Sequence, residues 1–165
     1  MTGFWHPLVV YARKHRMTQE VYRRILGLDI GEKTIGIAMS DAMLFTAQPL
    51  QTLQRTNIKN DLRILRELCA THDVSEIVVG LPRHMNGQPS AMAEMIEKLC
   101  DKLKSQIQIP IAYWDERWST QAAEKSLIES NMRRNKRKSV IDQVAACLIL
   151  QGFLDAKRYN QSPQT

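Results

Sequence analysis

Hydrophobic and polar positions form two successive patterns along this chain. The first part contains two apolar runs, at 25–30 and 35–39, separated by the turn-like residues 31–34, and this pattern predicts a β-hairpin. A third strand is predicted at 44–53, where Pro49 indicates a sheet edge or a bulge because proline cannot donate a ladder hydrogen bond. The chain is therefore expected to begin with three meandering strands.

Farther along, helical and extended patterns alternate. Apolar residues recur at helical spacing in 58–69 and 92–103, and the β-branched run 76–80 between them predicts an interior strand. A fifth strand is predicted at 107–114, followed by a helix that Ser119 or Thr120 could cap and by a final helix from Val140. We therefore expect an α/β fold with a mixed five-stranded sheet, three antiparallel strands and then parallel strands, flanked by helices.

The length of the chain limits its organisation. A sequence of 165 residues, 44% of them hydrophobic, can form one ordinary core. We expect one domain at 23–157, an N-terminal extension at 1–22 and a flexible tail at 158–165. In the extension, apolar residues precede Arg13, Lys14 and Arg16, so a basic arm, a weak targeting segment and a loosely tied terminus are all open interpretations.

Cysteine usage and charge indicate the compartment and the class of partner. The 3 cysteines are widely spaced among helix-like residues, which is typical of buried thiols in a reducing compartment and not of a disulfide framework or a zinc cluster. No apolar run is long enough to cross a membrane, so we expect a cytoplasmic protein without a membrane partner. The net charge of +6 favours, without requiring, a polyanionic partner such as nucleic acid.

Asp29 is the first candidate for chemistry. It interrupts an apolar strand on the face shared by Ile25 and Gly27, where an isolated charge would be costly to bury, so it needs a partner. The alternative interpretation is that its carboxylate caps the turn around Gly31, a common role for aspartate beside glycine.

Asp142 is the second candidate. At helical spacing it shares a face with Ala146 and Ile149, the side that should pack on the sheet, so its carboxylate should approach the strand that carries Asp29. The alternative is structural, because Ser139 could be the N-cap of this helix and Asp142 the acid of its capping box.

A third acid follows the fifth strand. Asp115 and Glu116 would point to opposite faces, so one of them would join the site and the residues leave open which. Three hard oxygen ligands from separate segments, with few histidines, suit Mg²⁺ or Mn²⁺ better than Zn²⁺. Two such ions about 4 Å apart could activate water and stabilise the leaving oxygen of a phosphodiester. These features predict a metal-dependent nuclease.

Residues near these acids could bind phosphate groups of a substrate. The basic run 133–138 precedes Asp142 and is interpreted either as a loop that grips phosphates or as a solvated loop. The hydroxyls of Ser119 and Thr120 could donate to phosphate, although helix capping explains either one equally well. The candidate substrate-binding residues are Lys33, Arg117, Ser119, Thr120, Lys136, Arg137 and Lys138.

These motifs together resemble the YqgF/RuvX family of pre-16S rRNA nucleases, which are relatives of the Holliday junction resolvases. The likeness covers about 24–154. It rests on Leu28-Asp29-Ile30-Gly31 with Ile35-Gly36-Ile37-Ala38, on Ile77-Val78-Val79-Gly80-Leu81-Pro82 with Asn86-Gly87, on Asp115-Glu116-Arg117 with Ser119-Thr120, and on Lys136 through Asp142 with Ala145-Ala146 and Ile149-Leu150.

The resemblance implies a fold, an activity and a set of site residues. It implies an RNase H-like fold and a cytoplasmic nuclease that matures the 5′ end of 16S rRNA, with precursor rRNA and ribosomal particles as partners. It assigns metal binding and catalysis to Asp29, Glu116 and Asp142, and thereby selects Glu116 over Asp115. The extension at 1–22 departs from the family pattern, in which the chain begins close to the first strand.

The residues leave other functions open. Branched DNA is an alternative substrate, and resolving a junction would require two active sites, so both a monomer and a homodimer are expected states. A non-catalytic RNA-binding assembly factor would need only the basic run. The hairpin that contains Asp29 also resembles the first phosphate-binding motif of actin-like ATPases, but the chain is too short for the second related domain that those proteins have.

Overall fold

Five strands form one mixed sheet in the computed structural model, which describes residues 23–82, 90–115 and 134–161, with 134–139 and 161 described by their backbone alone. The strands are β1 (Arg24–Ile30), β2 (Thr34–Ser40), β3 (Ala47–Gln54), β4 (Val74–Leu81) and β5 (Ile111–Asp115), in the spatial order β3-β2-β1-β4-β5. β1, β2 and β3 pair antiparallel, and β4 and β5 join in parallel beside β1. The predicted mixed five-stranded sheet is confirmed.

Helices follow the strands in the described part of the chain. They are α1 (Ile58–Thr71), α2 (Ala91–Lys104) and α3 (Arg134–Gln161). Asn57 and Ser90 cap the first two, each accepting a hydrogen bond at 3.0 Å from a backbone amide in the first turn, which satisfies a donor that has no partner within the helix. The third helix is 28 residues long.

The two faces of the sheet are covered by different helices. Because side chains alternate along a strand, Leu28, Ile37 and Val79 lie on one face, where they pack with α1 and α2 in the larger core. Ile25 lies on the other face with Ala38 and Val78, and there α3 supplies the covering residues. The sheet is therefore the middle layer of three.

Polar contacts fix where α3 lies along this face. The side chain of Gln143 donates to the Thr52 hydroxyl at 3.2 Å, and that of Gln151 accepts from the Ala47 amide at 2.9 Å, so two turns of the helix are tied to β3. Near the other end, Lys157 pairs with Glu76 of β4. These contacts hold α3 in one register across the sheet.

Two predicted strand starts are wrong. The third strand begins at Ala47 and not at 44, because 41–46 forms a closed loop in which the Asp41 carboxylate accepts the amides of Phe45 and Thr46 at 2.7 and 2.9 Å. These bonds hold the pKa of Asp41 below its usual value. The fifth strand begins at Ile111 and not at 107. The interpretation of Pro49 is confirmed, since β3 is an edge strand with a register shift beside that proline.

The predicted start of the last helix is also wrong. Its backbone is helical from Arg134 and not from Val140, so most of the basic run belongs to the helix and is not a loop. Lysine and arginine are good helix formers, and no glycine or proline stands between Arg134 and Val140 to end the helix there. Ser139 is consequently inside the helix and is not its N-cap. The helix continues to Gln161, beyond residue 158, where the sequence predicts a flexible tail.

The predicted burial of the thiols is confirmed for two of the cysteines. Cys69 and Cys100 are buried, Cys147 is half-buried, and all three are free thiols. Burial raises the pKa of each to about 11, so they are protonated at neutral pH and poorly nucleophilic. None of the helices in the described ranges has the length and apolar character that a membrane crossing requires.

Candidate active site

Helix α3 approaches the sheet closely at two glycines. A Cβ on Gly27 would lie 2.7 Å from the Leu150 Cβ and 3.1 Å from the Ala146 carbonyl oxygen, both closer than ordinary contact. A Cβ on Gly36 would overlap the backbone carbonyl of Asp142. The helix backbone therefore rests on the strand backbone along β1 and β2, which only glycine permits.

Asp29 lies beside this contact. It is the next-to-last residue of β1 and the direct cross-strand partner of Gly36 in β2. Opposed Cα atoms in an antiparallel pair are about 5 Å apart. The side chain is half-buried on the face that α3 covers, as the alternation with Ile25 and Gly27 predicts. The turn after it is closed by the Gly31 amide, which donates to the Thr34 carbonyl at 2.8 Å.

Asp142 lies in the third turn of α3, and its backbone carbonyl rests against Gly36. Its side chain is half-buried, and its Oδ2 atom is fully buried without a hydrogen-bond donor from the described residues. A buried carboxylate oxygen without a donor is destabilising unless a cation or donor compensates it. The capping-box alternative is wrong, because the helix begins two turns earlier and Ser139 is not its N-cap.

Of the two candidates for the third acid, the structure describes Asp115. Asp115 pairs in register with Leu81, which belongs to the core under α1 and α2, so Asp115 lies on the face opposite Asp29. Trp114, one residue earlier, packs under α3, where its ring meets Phe153 edge-on at 6.2 Å. Asp115 therefore does not share a face with Asp29 and Asp142. Glu116 lies outside the described residues.

Lys33 is the one predicted substrate-binding residue whose side chain the structure describes. Lys33 is exposed in the turn between β1 and β2, close in sequence to Asp29. Positions 136–138 lie in the first two turns of α3, with only their backbone described. Arg117, Ser119 and Thr120 lie outside the described residues, as does the extension at 1–22. Within the described ranges, no three side chains of metal-binding type lie close enough together to hold an ion.

Two structural features near this pair of aspartates were not predicted from the sequence. Gly36 was predicted as a strand residue and as part of the family motif but given no packing role, although a glycine inside a strand often marks the close approach of another backbone. Arg55 and Asp61 were not singled out, yet they form an ion pair at 3.0 Å in which Asp61 is 1% exposed. No local signal reveals that pair, because its burial arises only when α1 packs onto the larger core.

A cleft of about 420 Å³ lies at the opposite end of the sheet from Asp29. Its lining includes Arg24 at the start of β1, Ser40 at the end of β2 and His72 at the end of α1. It contains none of the predicted site residues. The candidate active site is therefore the pair of aspartates beside Gly36.

Comparison with known families identifies the chain. The family model described as "RuvX: Holliday junction resolvase" matches residues 23–156. The chain belongs to the RuvX family. A "Putative pre-16S rRNA nuclease" of Clostridium tetani is 46% identical over 133 residues, which cover 81% of this chain and 96% of that protein. A protein of the same name from Heliobacterium modesticaldum is 50% identical over 136 residues, 82% of this chain and 91% of the relative.

Solved structures agree with this family assignment at the level of the fold. RuvC of Thermus thermophilus in complex with a Holliday junction substrate matches with a TM-score of 0.56 and 11% sequence identity, covering 85% of this chain and 98% of that one. The RuvC-like RNase H fold expected from the sequence is therefore confirmed. Membership of the RuvX family makes the chain a hydrolytic nuclease, as predicted.

The contact at Gly36 makes a prediction about stability. Gly36→Ala should lower the free energy of unfolding by about 2–3 kcal/mol, because the new methyl group must displace the backbone of α3. Denaturant unfolding followed by circular dichroism measures this change. Gly152→Ala is the matched control, since its Cβ would meet the Trp114 ring at 3.1 Å and alanine also favours the helix, so a smaller loss is expected. Equal stability of Gly36→Ala and the unchanged protein would contradict the close backbone contact.

Proposed function

We propose that this RuvX-family chain cleaves precursor rRNA at the 5′ end of 16S rRNA, and that Asp29, Glu116 and Asp142 hold the divalent metal ions it needs. The observation that carries the proposal is the placement of Asp142 over Gly36, the cross-strand partner of Asp29. The contact brings two acids from distant parts of the sequence to one end of the α3 face. Their carboxylates are the catalytic groups of this proposal.

The residues present fit Mg²⁺ or Mn²⁺. The donors are hard carboxylate oxygens, and the described part of the site contributes no cysteine or histidine that would favour zinc. The Oδ2 of Asp142 is buried and has no donor from the described residues, so a bound cation would stabilise its negative charge. When bound, divalent ions would polarise the phosphate and lower the pKa of a coordinated water.

The alternation of β5 supports Glu116 as the third ligand. Trp114 faces α3 and Asp115 faces the other way. Asp115 is therefore excluded from the face on which Asp29 and Asp142 lie. Of the two acids this leaves Glu116, to which the family resemblance also assigns the role.

The chain's own residues have separate tasks in this mechanism. Asp29 is fixed by a strand and Asp142 by the interior of a helix, so their carboxylates are held on rigid elements, as catalytic geometry requires. Positive groups nearby would bind phosphates and place the scissile bond. We assign this task to Lys33, Arg117, Ser119, Thr120, Lys136, Arg137 and Lys138. Position 138 stands one helical turn before Asp142, which favours Lys138 most.

The choice of substrate rests on the relatives. Proteins 46–50% identical to this chain carry the name of pre-16S rRNA nucleases, and we infer the same substrate here, met in the cytoplasm and on ribosomal particles. A second candidate is branched DNA, since the family model is described as a Holliday junction resolvase and the RuvC match was solved with such a junction. A resolvase must place two active sites on one junction, so a homodimer favours DNA and a monomer favours RNA.

The proposal predicts metal-dependent cleavage that depends on three acids. A 5′-labelled precursor 16S rRNA fragment and a four-way DNA junction would each be incubated with Mg²⁺, Mn²⁺ or EDTA. We expect cleavage of the RNA with either metal and none with EDTA. Asp29→Asn, Glu116→Gln and Asp142→Asn should each slow cleavage by more than about 100-fold. Loss of a residue that only orients a metal ligand already costs up to about 100-fold, and these variants remove the ligand itself.

The control for this experiment is Asp115→Asn, which removes an equal charge from the opposite face of β5. It should cleave as the unchanged protein does. Two results would refute the nuclease site: cleavage that survives Asp29→Asn, or no cleavage by the unchanged protein with any of the metals. Cleavage of the junction alone would replace RNA by branched DNA as the substrate.

The phosphate-binding role of the basic segment can be tested through salt. Each phosphate contact made by lysine or arginine releases counterions, so neutralising Lys136, Arg137 and Lys138 to glutamine should flatten the dependence of RNA affinity on salt concentration. The slope of log affinity against log salt should decrease in magnitude by about 1–2. Lys98, Lys102 and Lys104 on α2 provide a control triple of equal charge. An identical slope for the unchanged protein and the 136–138 variant would make this segment a solvated part of α3.

A further inference from the structure

We propose that Arg55 is a positioning residue for Asp29, and that it acts by holding the turn between β1 and β2. This inference rests on the proposed function, because it assumes that Asp29 binds metal. Arg55 follows β3 directly and lies on the sheet face of α1 and α2, opposite the face where α3 lies. Its guanidinium bonds to Asp61 and to the backbone carbonyl of Gly31, so it would act on Asp29 through the backbone.

Arg55 binds the turn on both sides. Its Nη1 donates to the Gly31 carbonyl at 2.7 Å, two residues after Asp29. Its backbone amide donates to the Lys33 carbonyl at 2.9 Å. The turn itself is closed by the Gly31 amide, which donates to Thr34 at 2.8 Å. One residue therefore fixes both arms of the turn that follows Asp29.

The guanidinium is held in place from α1 and α2. Its Nε donates to the Asp61 carboxylate at 3.0 Å, and its Nη1 also approaches the Met95 sulfur at 3.1 Å. Asp61 lies in the first turn of α1 and is 1% exposed, whereas Arg55 is 15% exposed. A buried ion pair of this kind has a defined geometry, which a flexible surface pair lacks. The pair connects the turn beside Asp29 to the helical layer under the sheet.

Arginine is suited to this task for a geometric reason. Its planar fork offers several donors at once, so one side chain can bind a carboxylate through Nε and a carbonyl through Nη1. A plain stabilising partner for Asp61 would need only the first of these bonds. The second bond is directed at the backbone beside a carboxylate that must be placed within about 0.5 Å to work.

The test compares Arg55→Lys with the unchanged protein. Lysine keeps the cation beside Asp61 but cannot reproduce the fork, so the fold should persist while the turn loosens. In metal-free protein, the Gly31 amide should exchange its hydrogen about tenfold faster, as nuclear magnetic resonance would show. Mn²⁺ affinity, measured by titration calorimetry, should weaken by about tenfold. For RNA cleavage, kcat should fall while KM stays close to its original value.

Arg63→Lys is the matched control. Arg63 pairs with Glu67 on the exposed side of α1, at 2.7 Å, and lies away from the turn. Exchange, Mn²⁺ affinity and kcat should all remain unchanged in this variant. Should Arg55→Lys fail to fold, Asp61→Asn is the second variant, because asparagine can still accept from Nε while it loses the charge that orients the fork.

The outcomes separate positioning from simple stabilisation. A lower melting temperature with unchanged Gly31 exchange and unchanged Mn²⁺ affinity would overturn the inference and leave Arg55 as a partner of Asp61 only. Failure of the proposed function would look different, because the unchanged protein would then neither bind Mn²⁺ nor cleave RNA, and the role of Arg55 would fall with it. Faster exchange together with weaker Mn²⁺ binding would support positioning.

Discussion

The direct contact between the backbone of α3 and the sheet at Gly36 is the constraint on which the rest of the structure depends. With no side chain between them, the carbonyl of Asp142 rests on β2, and the strand residue opposite Gly36 is Asp29. Two acids more than a hundred positions apart in the sequence are thereby brought to one end of the same face. Gly27 repeats the contact two turns along the helix, so α3 cannot slide without losing both.

The two faces of the sheet serve different purposes. The face under α1 and α2 carries the larger apolar core and the buried Arg55–Asp61 pair, and it supplies most of the burial that stabilises the fold. The face under α3 carries a smaller core and, at its end, the buried carboxylate oxygen of Asp142. A buried oxygen without a donor from the described residues lowers the stability of the fold, and the packing around it offsets this cost. Functional sites commonly reduce stability in this way.

Local patterns predicted much of this arrangement, and tertiary contacts explain what they missed. The hairpin followed from two apolar runs separated by a turn, and the face of Asp29 from the alternation of side chains along a strand. The inward face of Asp142 followed from helical spacing. The start of α3 did not, because basic residues carry no stop signal and form helices readily. The closeness at Gly36 and the burial of Asp61 arise only when distant segments pack. Glu116 was selected over Asp115 by resemblance, and its place in the site stays a prediction.

The central claim is that Asp142 and Asp29 form a cation site, and thermal unfolding of Asp142→Asn with and without Mn²⁺ tests it most directly. In EDTA the variant should be at least as stable as the unchanged protein, because asparagine removes a charge that is half-buried and lacks a donor from the described residues at Oδ2. Saturating Mn²⁺ should raise the melting temperature of the unchanged protein and leave that of the variant where it was. A variant that is destabilised in EDTA, and that responds to Mn²⁺ as the unchanged protein does, would show that Asp142 supports the fold and does not bind the metal.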